Sequence, residues 1–390
     1  MEEIIDEGVY KRQDYKYSMR SMVYAKLNEI GSALKDCDLA IELNYNNDEF
    51  YRRKANCCNE MRLYKLAIEN YKKAIELSGE NEYDYGSLGY IYMKQGRYEE
   101  AIEQLTYFIN KNRSYKQVYI DLADMQIKLL RYEDVVDTYS MFIQYNEEAP
   151  DMYWNRGEIF EYLGEYEKRD SDYIKAIELY KIKAEDEKND WEIYNNIGIL
   201  YEKLKKGEKA IEAYNKSILI CSYNGCSYRN LGDVYSEIIK DYEKAIQCYR
   251  KQREISGENA ELYFLEGKAC LNAGKKDLGV KLLKKAIKSY SKYVKSNIST
   301  SYEYYNLGEC YRLIGKKKKA ITNFRYAIQA KECANCKVCI CYEGYHRLGK
   351  IYEEMKKYKE SFKYYSKVVK VNKHKEYVED LIRVEKLLNS

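Results

Sequence analysis

The chain has few of the residues that punctuate folds or run catalytic relays. Its 390 residues include one proline, Pro150, and two histidines, His346 and His374, with seven phenylalanines and two tryptophans. A Ser-His-Asp or Cys-His relay would have to be built around one of those histidines, and neither stands near a strained nucleophile turn. Gly267-Lys268 and Gly315-Lys316 are followed by Ala269 and Lys317, where a phosphate loop needs Ser or Thr, and the preceding glycine is misplaced. Hydrolytic or nucleotide-dependent activity is therefore not expected, and no cofactor is implied. No run of 18 apolar residues exists, so no helical membrane span is expected. The opening Met-Glu-Glu-Ile-Ile-Asp-Glu is acidic and lacks the apolar core of a secretory signal. Twelve cysteines scattered through the chain do not form a short-domain disulfide framework, which leads us to expect a reducing, cytoplasmic setting.

Tyrosine, by contrast, is abundant and periodic. Of 47 tyrosines, ten recur at near-fixed intervals: Tyr17, Tyr51, Tyr85, Tyr119, Tyr153, Tyr194, Tyr228, Tyr263, Tyr304 and Tyr345. Five of the nine spacings are 34 residues, one is 35 and three are 41. A period of this size marks a stacked array of supersecondary units. Offsets 0, +3, +4 and +7 from each marker fall on one stripe of a helix, the pattern of an amphipathic helix with one buried face. Small residues at +4 and at Ala67, Ala101, Ala210, Ala245 and Ala320 leave room for two helix axes to approach to about 8–10 Å. One such pair cannot enclose its own apolar face, so neighbouring pairs must stack.

The fullest copy is Tyr85-Gly-Ser-Leu88-Gly89-Tyr-Ile-Tyr92, followed by Gly96, Tyr98, Ala101, Leu105 and Phe108. Leu-Gly or Ile-Gly pairs recur at Leu88-Gly89, Ile197-Gly198, Leu231-Gly232, Leu307-Gly308 and Leu348-Gly349. This pattern resembles the tetratricopeptide repeat over nearly the whole chain, from about residue 14 to about residue 374. The resemblance implies an all-α solenoid, a right-handed superhelix of about ten helix-turn-helix repeats with a C-terminal capping helix. We expect a single array over 1–390, with repeats at about 14–47, 48–81, 82–115, 116–149, 150–190, 191–224, 225–259, 260–300, 301–341 and 342–374. Residues 375–390 are expected to form the cap, since Tyr377, Leu381, Val384 and Leu388 keep a helical stripe after the marker is lost.

With proline almost absent, turns between repeats fall to residues such as Asn46-Asn47 and Gly79-Glu80-Asn81. Seven extra residues are close to two helical turns, so the segments around 180–190, 290–300 and 331–341 are expected to lengthen helix pairs without rotating their buried faces. Repeat 225–259 is expected to carry its extra residue near Lys240, in the hairpin turn.

Charge is polarised along the chain. Residues 1–259 hold 38 Lys and Arg against 49 Asp and Glu, whereas residues 260–390 hold 29 against 14. Lys316-Lys317-Lys318-Lys319 reads first as a solvated hairpin corner. The alternative is an acidic partner, nucleic acid or anionic surface contacted by the basic 260–390 region, although no nucleic-acid module signature is present. A further alternative is metal or redox sensing by Cys333, Cys336, Cys339 and Cys341, four thiolates within nine residues. On a helix Cys341 turns away from Cys339, so a four-ligand site would break the helix, and packing competes as an explanation.

In the family this chain resembles, the first-helix face opposite the buried stripe lines a concave surface that grips extended peptides. Offsets +2, +5 and +9 are expected there. Asparagine stands at +2 in Asn155, Asn196, Asn230 and Asn306, and an amide offers both donor and acceptor to an extended backbone. At +5 stand Glu158, Asp233 and Glu309, with Asp121 and Asp124 in an earlier repeat. The expected function is a non-catalytic scaffold that binds a protein or an extended, basic peptide. A carboxylate-clamp variety of the family uses lysine, asparagine and arginine to hold a peptide C-terminus. Arg52, Arg53 and Asn56 offer part of such a site, but Ser87, Gln117 and Asp121 stand where its remaining polar and basic residues belong.

Overall fold

The computed structural model describes residues 13–78, 81–295, 301–329, 341–371 and 375–389. Among them are 21 α-helices and no strand. The chain divides into two compact units, Met1–Glu147 and Glu148–Ser390. The first holds four antiparallel pairs: α1 (Gln13–Lys26) with α2 (Ile30–Leu43), α3 (Asp48–Glu60) with α4 (Tyr64–Ser78), α5 (Glu82–Lys94) with α6 (Tyr98–Lys111), and α7 (Lys116–Lys128) with α8 (Tyr132–Tyr145).

The second unit holds six pairs and a last helix. They are α9 (Pro150–Leu163) with α10 (Tyr166–Asp186), α11 (Trp191–Lys203) with α12 (Gly207–Ile220), and α13 (Gly225–Val234) with α14 (Tyr242–Ser256). They continue with α15 (Ala260–Asn272) and α16 (Lys276–Tyr293), α17 (Ser301–Leu313) and α18 (Lys317–Gln329), α19 (Cys341–Glu354) and α20 (Tyr358–Val371), then α21 (Lys375–Asn389). Within each unit every second helix packs on its own first helix and on the first helix of the next pair. The core is thus a row of small clusters joined neighbour to neighbour, as stacking requires.

Marker tyrosines fall on first helices, and the glycine four residues on is a notch for the second helix. At Gly157, Gly198, Gly232 and Gly349 an added Cβ would come within 2.5, 2.5, 2.7 and 2.6 Å of the rings of Tyr173, Tyr214, Tyr249 and Tyr365. Phe324 fills the same notch at Gly308 and Leu105 at Gly89. These side chains are fully buried, so the notch sets how closely the pair approaches.

Turn chemistry explains how the array manages with one proline. Side chains of Asn47, Asn81, Asp190, Asn224 and Asn259 accept hydrogen bonds from backbone N–H groups in the first turns of α3, α5, α11, α13 and α15, and Pro150 itself opens α9. Within pairs the chain reverses through one residue in the left-handed region. That residue is glycine at 96, 164, 274 and 315, but Asn28, Arg62, Leu130, Lys205, Lys240 and Lys356 adopt the same conformation without glycine's freedom.

Of the expected insertions, the first lengthens α10 to 21 residues and the second extends α16 to 18. The third, at 331–341, lies almost wholly outside the described residues. The extra residue of repeat 225–259 is absorbed one step earlier than expected, in a π turn over Tyr235–Ile239 that ends the first helix just before Lys240. Helix α21 packs on α20 and buries Tyr377 and Val384.

Candidate partner-binding face

The buried second-helix tyrosines carry their hydroxyls back toward the first helix, where carboxylates accept them. Tyr173 donates to Glu158 Oε1 at 3.3 Å and to Glu161 Oε2 at 3.2 Å. Tyr214 donates to Glu202 at 3.0 Å, Tyr249 to Asp233 at 2.7 Å and Tyr365 to Glu353 at 2.9 Å. Each acceptor stands one or four residues after the notch glycine, so the ring fills the notch and the hydroxyl emerges beside the carboxylate. Burial holds the Asp233 and Glu202 carboxyls above their usual range, and the tyrosine hydroxyls offset part of that rise.

Cations from neighbouring first helices complete the arrangement. Lys203 Nζ lies 2.6 Å from Glu158 and 3.4 Å from Glu161. Burial alone would lower its pKa, but the hydrogen bonds and charges of Glu158 and Glu161 together outweigh that and raise it. Arg229 reaches Glu261 at 2.8 Å and Asp233 at 3.8 Å, and Lys268 reaches Glu237 at 2.8 Å. These side chains are between 26% and 54% exposed, so the strip is open to a ligand while internally paired. From Glu158 to Lys268 it carries six carboxylates, at 158, 161, 202, 233, 237 and 261, against Lys203, Arg229 and Lys268.

Two of the expected amides, Asn196 and Asn230, sit at joints between repeats instead of on this strip. Asn230 donates to Asn195 at 3.1 Å, Asn196 bonds the Tyr180 hydroxyl of the preceding second helix, and Asn306 is buried and donates to the Tyr302 carbonyl. Asn155 is half-buried on α9. The wheel explains the difference. Offset +2 lies at 200°, on the edge turned toward the previous repeat, whereas +1, +5, +8 and +9 lie between 80° and 180° and line the open stripe. At +5, Glu158 and Asp233 are on the strip, but Glu309 is buried between Arg312 at 2.9 Å and Arg347 at 3.3 Å. Phe324 explains that exchange: with no hydroxyl in this notch, arginines supply the partners.

In the first unit Asp121 accepts from Gln117 at 2.9 Å and from Tyr90, whose hydroxyl is pushed up to about 12 by burial and by that carboxylate; Asp124 is exposed. The partial clamp is engaged within the chain. Arg52 binds Asp84 at 2.5 Å and Asp48 at 2.7 Å, Arg53 binds Glu49, and Asn56 accepts from Tyr71. Cys333, Cys336 and Cys339 lie outside the described residues, and Cys341 opens α19. Among the described residues one grouping has metal-ligand chemistry, His346, Glu376 and Asp380. Lys350 stands 3.1 Å from Glu376 and Arg383 stands 2.7 Å from Asp380, so fixed cations already occupy the surroundings of those carboxylates.

Sequence reasoning missed Asn195, Lys203, Arg229 and Lys268. A signal existed: opposite charges about one repeat apart on the same helical stripe, as in Arg229 and Glu261 or Glu237 and Lys268.

A family model described as tetratricopeptide repeat matches residues 192–258, and a second model of the same description matches 49–81, 85–106, 150–182, 304–332 and 342–375. Among solved structures, the C-terminal part of a TPR repeat-containing protein from Cytophaga hutchinsonii is 19% identical. It covers 63% of this chain and 97% of its own, with a TM-score of 0.48. A tetratricopeptide repeat protein from Parabacteroides merdae is 16% identical, covering 64% and 93%, with a TM-score of 0.48. No curated protein matches the chain by sequence. With the repeat models together matching more than half of the chain, on helix pairs built around the glycine notch, the chain belongs to the tetratricopeptide repeat family.

Proposed function

We propose that the protein is a non-catalytic scaffold that holds an extended, basic segment of a partner protein along the first helices of its second unit. The observation that carries this reading is the acid-rich strip from Glu158 to Lys268, half-exposed and continuous over α9, α11, α13 and α15. Four of its six carboxylates, Glu158, Glu161, Glu202 and Asp233, are pre-oriented by buried tyrosine hydroxyls, so a ligand meets them with little reordering. Lys203, Arg229 and Lys268 occupy the places that lysine or arginine side chains of a ligand would take. A ligand cation therefore competes with an internal one, and the excess of carboxylates favours it.

The test is an arrayed set of extended peptides that differ in lysine and arginine content, each carrying a photo-crosslinker. Basic members should be retained and should label α9, α11, α13 and α15. Labelling confined to the second helices, or retention indifferent to charge, would overturn the reading.

A further inference from the structure

The second helices of the last three pairs carry a charge pattern that the first-helix strip does not use. Helix α16 has six lysines against Asp277, α18 has three lysines and Arg325 with no acid, and α20 has four lysines against Glu360. The first helices between them are mildly acidic: α15 has Glu261 and Glu266 against Lys268, and α17 has Glu303 and Glu309 against Arg312. The basic excess of residues 260–390 is thus sorted by the fold onto one layer, since α16 and α18 each pack between successive first helices and α20 packs between α19 and the last helix, α21.

We propose that this second-helix face of α16, α18 and α20 binds the sugar-phosphate backbone of a single-stranded nucleic acid, independently of the first-helix strip. Lys281, Lys284, Lys288 and Lys292 recur every three or four residues and are exposed. At 1.5 Å per residue they set ammonium groups about 5–6 Å apart along the helix. Lys281, Lys284 and Lys288 border a shallow depression of about 560 Å³. None of these four, nor Lys318 or Lys363, has a carboxylate within 4.0 Å among the described residues; of the face, Lys285 and Lys317 do, at Glu258 and Glu354.

Helix α18 adds a second observation. Its first turn holds Lys317, Lys318 and Lys319 and no acid, at the helix end where the backbone dipole already favours negative charge. The other second helices of this unit each begin with an acid: Glu167, Glu208, Glu243, Asp277 and Glu360. Clustered cations there repel one another and the dipole, and a polyanion relieves both. Tyr326 packs against Tyr304 at 5.3 Å between ring centroids yet is 51% exposed beside Arg325, and its exposed part offers an aromatic surface for a base, which an acidic peptide would not use. The exposed large apolar residues on α16 and α18 are Leu278, Tyr293 and Tyr326, too few for insertion into a lipid surface.

The experiment measures binding of a fluorescent oligothymidylate of about 20 nucleotides to the full chain between about 50 and 200 mM salt. The variant Lys281→Gln/Lys284→Gln/Lys288→Gln removes three contacts and should lower the slope of log K against log salt by about 2, at roughly 0.7 per contact. Lys65→Gln/Lys72→Gln/Lys73→Gln on α4 should leave both affinity and slope unchanged. Tyr326→Ala should weaken binding by about fivefold or more without altering the slope. Absence of binding at the lowest salt, equal losses in the two lysine triples, or tighter binding of polyglutamate or phosphatidylserine vesicles than of the oligonucleotide would overturn the proposal.

Discussion

Replacing Tyr214 with Phe isolates the hydroxyl from the ring. The ring fills the notch at Gly198 and Phe keeps that filling, so no cavity opens. What is lost is the hydrogen bond of 3.0 Å to Glu202. A hydrogen bond to a charged group contributes about 1.5–3 kcal/mol net, so Tyr214→Phe should destabilise the fold by about that amount at pH 7. The cost should depend on pH. Burial holds the folded-state pKa of Glu202 above its usual value, and the Tyr214 hydroxyl works against that rise. Without the hydroxyl the folded pKa climbs further, while the unfolded value is unchanged. Variant and parent therefore differ most where Glu202 is ionised in both, and the gap closes as pH falls through the variant's folded pKa. Urea unfolding at pH 7 and at about pH 4, near the ordinary glutamate value, reads both effects. A change below about 0.5 kcal/mol at pH 7, or an equal change at both pH values, would refute the assigned role of the tyrosine-carboxylate bond.

Leu130 holds a left-handed backbone conformation at φ 63°, which costs a branched side chain about 1–2 kcal/mol. Leu130→Gly should raise the thermal midpoint, by up to about 1 kcal/mol of stability once glycine's unfolded-state entropy is subtracted; a lower midpoint would count against the turn geometry. His346 is buried between Asp380, Lys350, Tyr365 and Tyr377, and burial lowers its pKa. A His with a depressed folded pKa contributes stability above its unfolded value of about 6.5 that is lost as pH falls through the folded value. Amide exchange in α21 should therefore accelerate as pH falls through that window once intrinsic rates are corrected, and His346→Gln should flatten the dependence. An unchanged profile in the variant would remove His346 from docking of the last helix.

The sequence made the architecture legible because stacking forces the same few positions to repeat. Tyr85, Leu88, Gly89 and Ala101 recur in register since each copy must solve one packing problem, the close approach of two helices. The candidate face was less legible. The helical wheel places +2 opposite the buried stripe only for an isolated helix, whereas in an array each first helix has neighbours on both sides, and Asn196 and Asn230 turn toward the preceding one. Glu158 and Asp233 were visible as acidic positions, but their bonds to Tyr173 and Tyr249 depend on where a second helix carries its hydroxyl. Glu309 shows how far one residue matters, because Phe324 in place of tyrosine leaves that carboxylate to two arginines. The extra residue of repeat 225–259 reads as a longer hairpin turn near Lys240, whereas the chain takes it up as a π turn over Tyr235–Ile239, since periodicity counts residues and does not say where a helix widens.

The most direct measurement is the affinity of a lysine-containing extended peptide, retained in the array experiment, for the parent chain and for Glu158→Gln/Glu161→Gln. Glutamine still accepts from Trp154 and Tyr173, so the packing is kept while both charges are removed. Binding should fall about tenfold, equivalent to about 1.4 kcal/mol. Lys203→Ala, which frees Glu158 of its internal cation and leaves Glu161 with Arg169 at 3.4 Å, should tighten it. Unchanged affinity in both variants would contradict the assignment of the first-helix strip as the partner-binding face.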